Sequence, residues 1–306
     1  MKPLMAVTTA GLAALLAPQV LTPLRERLEP GDLPGVQRFV RAGAYDLHYT
    51  DDGPPDGPTV LLIHGFAAWA FAWRAQRAAL AAAGYRVLAI DLLGYGASSR
   101  PAAPVYSTRD QADLLLAALD SLGVGAFDAV GHSFGGRVAL QLALIAPERV
   151  RTLTAICPEA FTQGRPPIAA AARLPIVGLA LSYYVLAPSL VRVGLRSLAK
   201  QDGWLHAEVV AGYAAPLYVR GTALAQVWQA RSPKDGDLPV PANLASVRTP
   251  VLLLWGDSDQ VFPVEEGRRL ERILPEARLI VYHHTGHLPY EERAAEVSAA
   301  IIEHIR

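Results

Sequence analysis

The sequence predicts an α/β chain, with a mostly parallel, doubly wound sheet of about eight strands interrupted once by a helical insertion. Three observations predict it. Short runs rich in Val, Ile and Leu recur without a polar face, which suits strands covered on both sides. Helical stretches separate these runs, as the crossovers of parallel strands require. Between Pro158 and Pro241 the alternation stops, leaving only helix-like segments broken by proline and glycine, and it resumes at Pro250.

The elements follow in order. From Pro3 to Leu24 no side chain is acidic or basic, with Lys2 before the stretch and Arg25, Glu26 and Arg27 after it. Residues 1–28 therefore form an apolar leader with three readings: an export signal, a membrane anchor, or a helix packed on the protein's own surface. No small-x-small cleavage site follows it. Pro18 and Pro23 are expected to interrupt its helix, leaving Leu4–Ala17 as the clean part. The readings place the protein outside the cell, at a membrane or in the cytoplasm.

Glu29–Gly35 has linker composition. Val36–Arg41 and Tyr45–Asp51 read as strands of a hairpin turning at Ala42-Gly43-Ala44. Thr59–Ile63, Tyr85–Ile90, Phe127–Val130 and Val150–Ile156 are the apolar strands. Trp69–Ala83 reads as a helix stopped by Gly84. Ser107–Ser121 opens with the capping-box pattern Ser107-Thr108-Arg109-Asp110. Gly135–Ala146 is apolar nearly all round, as in a helix buried beneath a sheet. After the insertion, Pro250–Trp255 and Arg278–Tyr282 read as strands, Val264–Leu274 and Pro289–Ile305 as helices. The organisation is thus a leader (1–28), a core (36–157 and 242–306) and a helical cap (158–241).

Composition excludes several classes. Hydrophobic residues make up 52% of the 306 and charged ones 18%, enough for a substantial core. With 28 basic and 28 acidic residues, and no Lys/Arg run, nothing attracts a phosphate backbone, so no nucleic-acid partner is expected. One cysteine, Cys157, permits no internal disulfide and no cysteine-built metal site, and reads as a small buried hydrophobe.

Gly131-His132-Ser133-Phe134-Gly135-Gly136 matches G-x-S-x-G directly after an apolar strand and before a helix. That context needs a sharp turn holding Ser133 above the sheet edge, with glycines where neighbouring backbone comes close. The helix N-terminus behind it favours developing negative charge. A serine hydroxyl attacks only with a base and an orienting acid. The later strand ends supply both: Asp257 and Asp259 after Trp255-Gly256, and His287 in Thr285-Gly286-His287-Leu288-Pro289. The carboxyl ends of parallel strands are where such sheets gather their sites.

These motifs, together with His64-Gly65-Phe66 and Asp91-Leu92-Leu93-Gly94-Tyr95-Gly96-Ala97-Ser98, resemble the capped branch of the α/β-hydrolase superfamily from about Val36 onward. That branch includes carboxylesterases, lipases, cofactor-free haloperoxidases, epoxide hydrolases and haloalkane dehalogenases. The resemblance implies Ser133 as nucleophile, His287 as base and Asp259 as acid. Asp257 is the alternative, and Glu159 a third, because some relatives supply the acid after the strand preceding the cap. It also implies an oxyanion hole of two backbone N–H groups, those of Phe66 and Phe134, with His64, Gly65 and His132 as supporting loop residues.

The resemblance implies hydrolysis of a carboxylic ester of a largely apolar small molecule, without cofactor or metal. Elbow aspartates serve epoxide hydrolases and haloalkane dehalogenases, whereas a serine suits acyl transfer. Carbon–carbon hydrolases of vinylogous diketones, haloperoxidases and a catalytically silent binding protein are the rivals. His283 and His284, read as adjacent strand residues, point to opposite faces and so share no metal. Gly94-Tyr95-Gly96 is followed by Ser99 where a dinucleotide loop needs glycine. The cap aromatics Tyr183, Tyr184, Trp204, Tyr213, Tyr218 and Trp228 read as core. Pro175–Leu198, poor in charge, suggests an acyl- or alkyl-accepting pocket.

Overall fold

Runs that are apolar on both faces have to be covered on both faces, and they become the middle of the sheet. The computed structural model describes residues 2–161, 171–232 and 241–306. Its strands are β1 (Phe39–Ala42), β2 (Tyr45–Asp52), β3 (Thr59–Ile63), β4 (Arg86–Ile90), β5 (Phe127–His132), β6 (Val150–Ile156), β7 (Val251–Gly256) and β8 (Ala277–Tyr282). They form one eight-stranded sheet in the order β1-β2-β4-β3-β5-β6-β7-β8. The β1–β2 hairpin joins β4 antiparallel, and every other pairing is parallel. Every residue of β3, β5 and β7 is buried, whereas the edge strand β8 is largely half-exposed.

The helices are α1 (Lys2–Arg25), α2 (Arg74–Ala82), α3 (Thr108–Ser121), α4 (Phe134–Ile145), α5 (Pro175–Val185), α6 (Val191–Leu198), α7 (Ala207–Ala214), α8 (Thr222–Arg231), α9 (Pro241–Leu244), α10 (Val264–Ile273), α11 (Pro289–Glu292) and α12 (Ala294–Ile305). The expected capping box forms: Ser107 Oγ accepts from Asp110 N at 3.0 Å, and Asp110 accepts from Ser107 N at 2.9 Å. Within 158–241 the described residues hold helices and no strand, apart from an isolated bridge between Val219 and Leu28.

Three expectations needed revision. The apolar run Phe127–Val130 continues as strand to His132, because Gly131 and His132 still pair with Ala155 and Ile156. The single helix expected over Pro289–Ile305 breaks at Arg293, whose backbone leaves the helical region at φ −131°, ψ 43°. The leader helix runs unbroken through Pro18 and Pro23. Proline at position 18 cannot bond to the carbonyl of residue 14, and the Tyr184 hydroxyl donates to Ala14 O instead, at 3.0 Å. The orphan that should have interrupted the helix is satisfied from the cap.

The leader is fastened to the cap at its C-terminal end as well. Arg25 donates to Tyr183 O at 2.7 Å and lies over the Tyr183 ring at 4.4 Å. The buried carboxylate of Glu26 accepts from Gly221 N and Ala223 N, each at 2.8 Å, and so caps α8 from outside its own segment. Burial raises the Glu26 pKa, and these N–H groups oppose the rise.

Candidate active site

The elbow after β5 is where backbone crowding is greatest. Ser133 has φ 52° and ψ −116°, a strained conformation for a non-glycine residue, and stands as N-cap of α4. A Cβ on Gly131 would lie 2.3 Å from Gly135 O, and one on Gly135 would lie 2.2 Å from Ile63 O. Only glycine fits at either place, which is why the motif reads as it does. Ser133 N donates to Ile156 O at 2.9 Å, while Ser133 O accepts from Arg137 N and Glu159 N. The turn is therefore pinned from β6 and from both flanks.

His287, which lines a cavity together with Ser133, meets Asp259. His287 Nδ1 lies 2.7 Å from Asp259 Oδ2, both side chains buried. The other carboxylate oxygen of Asp259 accepts from Val261 N and Phe262 N at 2.7 and 3.0 Å. Asp257 points elsewhere, to the exposed His283 at 3.0 Å, and its pKa falls through bonds to Ser258, His283 and Thr285 that outweigh desolvation. Glu159 pairs with the buried Arg137 at 3.3 Å. Ser133 and His287 line one cavity, and Ser133 and Glu159 line the next.

The flanking histidines are held neutral. Leu92 N donates to His64 Nε2 at 3.0 Å, so the proton sits on His64 Nδ1, which donates to Gly65 O. Burial lowers the His64 pKa. His132 Nε2 donates to His287 O at 2.8 Å, and burial, then the neighbouring His287, drive its pKa well below the usual value. Asp91 fastens its own loop, accepting from Ala70 N at 2.6 Å and Ala97 N at 2.8 Å, with His48 at 2.7 Å. Phe134 is the first residue of α4, so its N–H lacks an intrahelical acceptor. The exposed Phe66 ring stands edge-on to Tyr95.

His283 and His284 lie just past the end of β8, in a turn rather than in a strand. His283 pairs with Asp257, and His284 adopts φ 50°. Cys157 is fully buried as expected, yet it has company the sequence did not suggest. Its thiol, a carboxylate oxygen of Asp259 and a ring nitrogen of His287 lie within 4.8 Å of one another. Burial and the Asp259 charge push the thiol pKa well up, so it stays protonated.

Sequence reasoning missed the residues that join cap to core. Glu291 makes a bidentate pair with Arg74 at 2.7 and 2.6 Å and accepts from the Tyr213 hydroxyl at 2.5 Å. Glu292 accepts from Gly286 N, Lys200 N and Gln201 N at 2.7–2.8 Å. These partners are up to 217 residues apart, and the only local signal was an acidic pair following the His287 loop.

Two cavities share Ser133 and Phe66. The first, about 260 Å³, is walled by Val185, Leu190, Leu195, Leu217 and Tyr290 and reaches His132 and His287. The second, about 540 Å³, adds Glu159, Ser182, Gln226 and Gln229 to an apolar wall. Of the six cap aromatics, only Tyr213 lines either.

Comparison with known proteins agrees with this geometry. The family model described as alpha/beta hydrolase fold matches residues 58–177 and 196–294. An uncharacterized hydrolase, YugF, of Bacillus subtilis (strain 168) is 28% identical over 272 residues, 89% of this chain and 98% of its own. The solved 2-hydroxy-6-oxo-6-phenylhexa-2,4-dienoate hydrolase of Rhodococcus sp. strain RHA1 superposes with TM-score 0.74 at 25% identity, covering 89% of this chain and 98% of that one. A solved membrane phospholipase A, with TM-score 0.74 and 25% identity, covers 99% and 96%. In sequence, an epoxide hydrolase of Caballeronia sordidicola is 36% identical over 136 residues, 42% of this chain and 40% of its own. With the elbow, the mixed eight-stranded sheet and the family match in agreement, the chain belongs to the α/β-hydrolase fold family and is a serine hydrolase of that fold.

Proposed function

We propose that the protein hydrolyses a carboxylic ester of a largely apolar substrate through an acyl-enzyme. In this reading Ser133 attacks the carbonyl, His287 takes the hydroxyl proton and returns it to the leaving alcohol, and Asp259 orients the imidazole and stabilises its charged form. The N–H groups of Phe66 and Phe134 receive the developing oxyanion. Water then cleaves the acyl-serine with His287 acting in the reverse sense.

The observation that carries the reading is the lining of the two cavities. Neither contains Lys or Arg among the described residues, and the first is almost wholly apolar. A dienoate substrate brings a carboxylate that such walls leave unpaired at a cost. A fatty or alkyl acyl group suits them. Against the epoxide reading stands Ser133 itself, because opening an epoxide by this route uses an elbow carboxylate to form the alkyl ester. The likeness to a membrane phospholipase A extends over the leader and agrees with an acyl ester.

A p-nitrophenyl ester series of increasing chain length, on the natural protein and Ser133→Ala, tests the proposal. Hydrolysis by the natural protein alone is expected, with fluorophosphonate labelling at Ser133. Full activity in the alanine variant overturns the mechanism. Activity on a vinylogous diketone with none on esters replaces it with carbon–carbon hydrolysis, and absence of labelling in folded protein points to a silent binding protein.

A further inference from the structure

The geometry points to a bilayer-docking surface built jointly by the leader and the cap, with the cavity mouth inside its footprint. Leu12, Leu16, Val20 and Leu24 recur every four residues and so share one face of α1. They are 56, 43, 68 and 54% exposed. That face is apolar and uncovered, while the opposite side of α1 packs on α5. On the cap, Ile176 of α5 and Val193 of α6 are 45 and 63% exposed, and Val185 and Leu190 are exposed beside them. The contacts of Arg25 with Tyr183 and of Tyr184 with Ala14 hold the two helical segments together.

Three features choose a lipid surface with anionic headgroups as the occupant. Charge is segregated in this neutral chain: residues 1–28 and 158–241 hold 11 Lys and Arg against 6 Asp and Glu, and the remainder holds 17 against 22. Net positive charge in the segments that carry an apolar face favours contact with anionic lipid. Next, α5 and Pro188–Leu198 are together long and apolar enough to span a membrane, yet they bend by 46° and α5 packs on α8. A bent pair packed on a neighbouring helix suits lying along a bilayer surface. Finally, Val185 and Leu190 are at once exposed and part of the cavity wall, so the apolar face runs on into the cavity beside Ser133.

A substrate embedded in lipid would therefore pass from the bilayer into the cavity without crossing water. What is delivered rests on the ester reading, whereas docking does not depend on it. The surface differs from a leader that merely tethers the enzyme, because here the cap itself must touch lipid.

Ile176→Glu and Val193→Glu, in the full-length chain with the leader intact, test this. Neither residue lines a cavity. The measurements are flotation with phosphatidylcholine vesicles, with and without phosphatidylglycerol, and hydrolysis of a short soluble p-nitrophenyl ester and of a long-chain ester held in the vesicles. The expected result is phosphatidylglycerol-dependent binding by the natural protein, reduced about tenfold or more in the double variant. Hydrolysis of the vesicle-held ester should fall in step, with the soluble ester cleaved at the natural rate. Undiminished vesicle binding by the double variant overturns the proposal and assigns attachment to the leader alone. A natural protein that ignores vesicles but dimerises through this face, and is made monomeric by the same substitutions, overturns it in favour of a second copy. Patch-dependent binding with no cleavage of either ester would sink the ester reading and leave docking standing.

Discussion

The backbone N–H of His287 donates to Leu198 O at 2.7 Å, which ties the histidine loop to the last residue of α6. The cap is thus stitched to the residue proposed as base, and Glu292 makes the stitch double by bonding Gly286, Lys200 and Gln201 at once. Replacing Glu292 with Ala leaves three backbone donors seeking acceptors. Because the carboxylate is only half-buried, the expected loss of stability is about 1–3 kcal/mol. The rate of ester hydrolysis should fall with it, and Glu292→Gln, which keeps one acceptor oxygen, should lie between. Chemical denaturation and kcat/KM on one ester check this, and an alanine variant equal to the natural protein in both would refute the stitch.

The two aspartates after β7 separate cleanly. Asp259→Asn leaves the His287 Nδ1 contact to a group that can present the wrong partner, and kcat should drop by about 10⁴-fold. Asp257→Asn disturbs an exposed pair with His283 and should leave kcat within about twofold. Steady-state rates of the two variants, measured side by side, decide which carboxylate orients the base.

Acid should destabilise the fold below the ordinary histidine range. His64 and His132 are buried with pKa values lowered, chiefly by desolvation. The unfolded chain then binds more protons than the folded one once pH falls below about 6.5. Stability from these groups is complete above that value and is lost as pH falls toward the folded-state pKa values. The pair should lower stability progressively as pH falls from 7 toward 5. Urea titrations across that range measure it, and His132→Asn should flatten the dependence. An unchanged slope in the variant would contradict the assignment.

Gly194 offers a specificity test. It lines the first cavity from α6, and a Cβ there would meet nothing within 4 Å. Gly194→Ala should stabilise the helix by up to about 1 kcal/mol. Gly194→Leu should shorten the longest p-nitrophenyl ester accepted while sparing the acetate. Thermal melts and the chain-length profile check both, and an unchanged profile in the leucine variant would place the acyl group in the other cavity.

What could be read from the chain alone was whatever depends on near neighbours. The strand–turn–helix at Ser133, the capping box at Ser107 and the all-apolar strands are local in origin, because glycine crowding, an Asp three residues on and two-sided burial each leave a short-range mark. The eight-stranded sheet and the helical insertion follow from the same periodicities. Ser133, the pair Asp257 and Asp259, and His287 stood out as candidates because each follows the end of an apolar strand.

Long-range contact decided the rest. Which of Asp257 and Asp259 faces His287 depends on how two loops 28 residues apart are packed, and the spacing of two residues carries no direction in an irregular turn. The leader helix survives Pro18 because Tyr184, 170 residues away in sequence, supplies the bond that Ala14 lacks. Nothing local in the sequence assigns partners to Glu26, Glu291 or Glu292, and only the folded chain surrounds them with backbone donors and arginine.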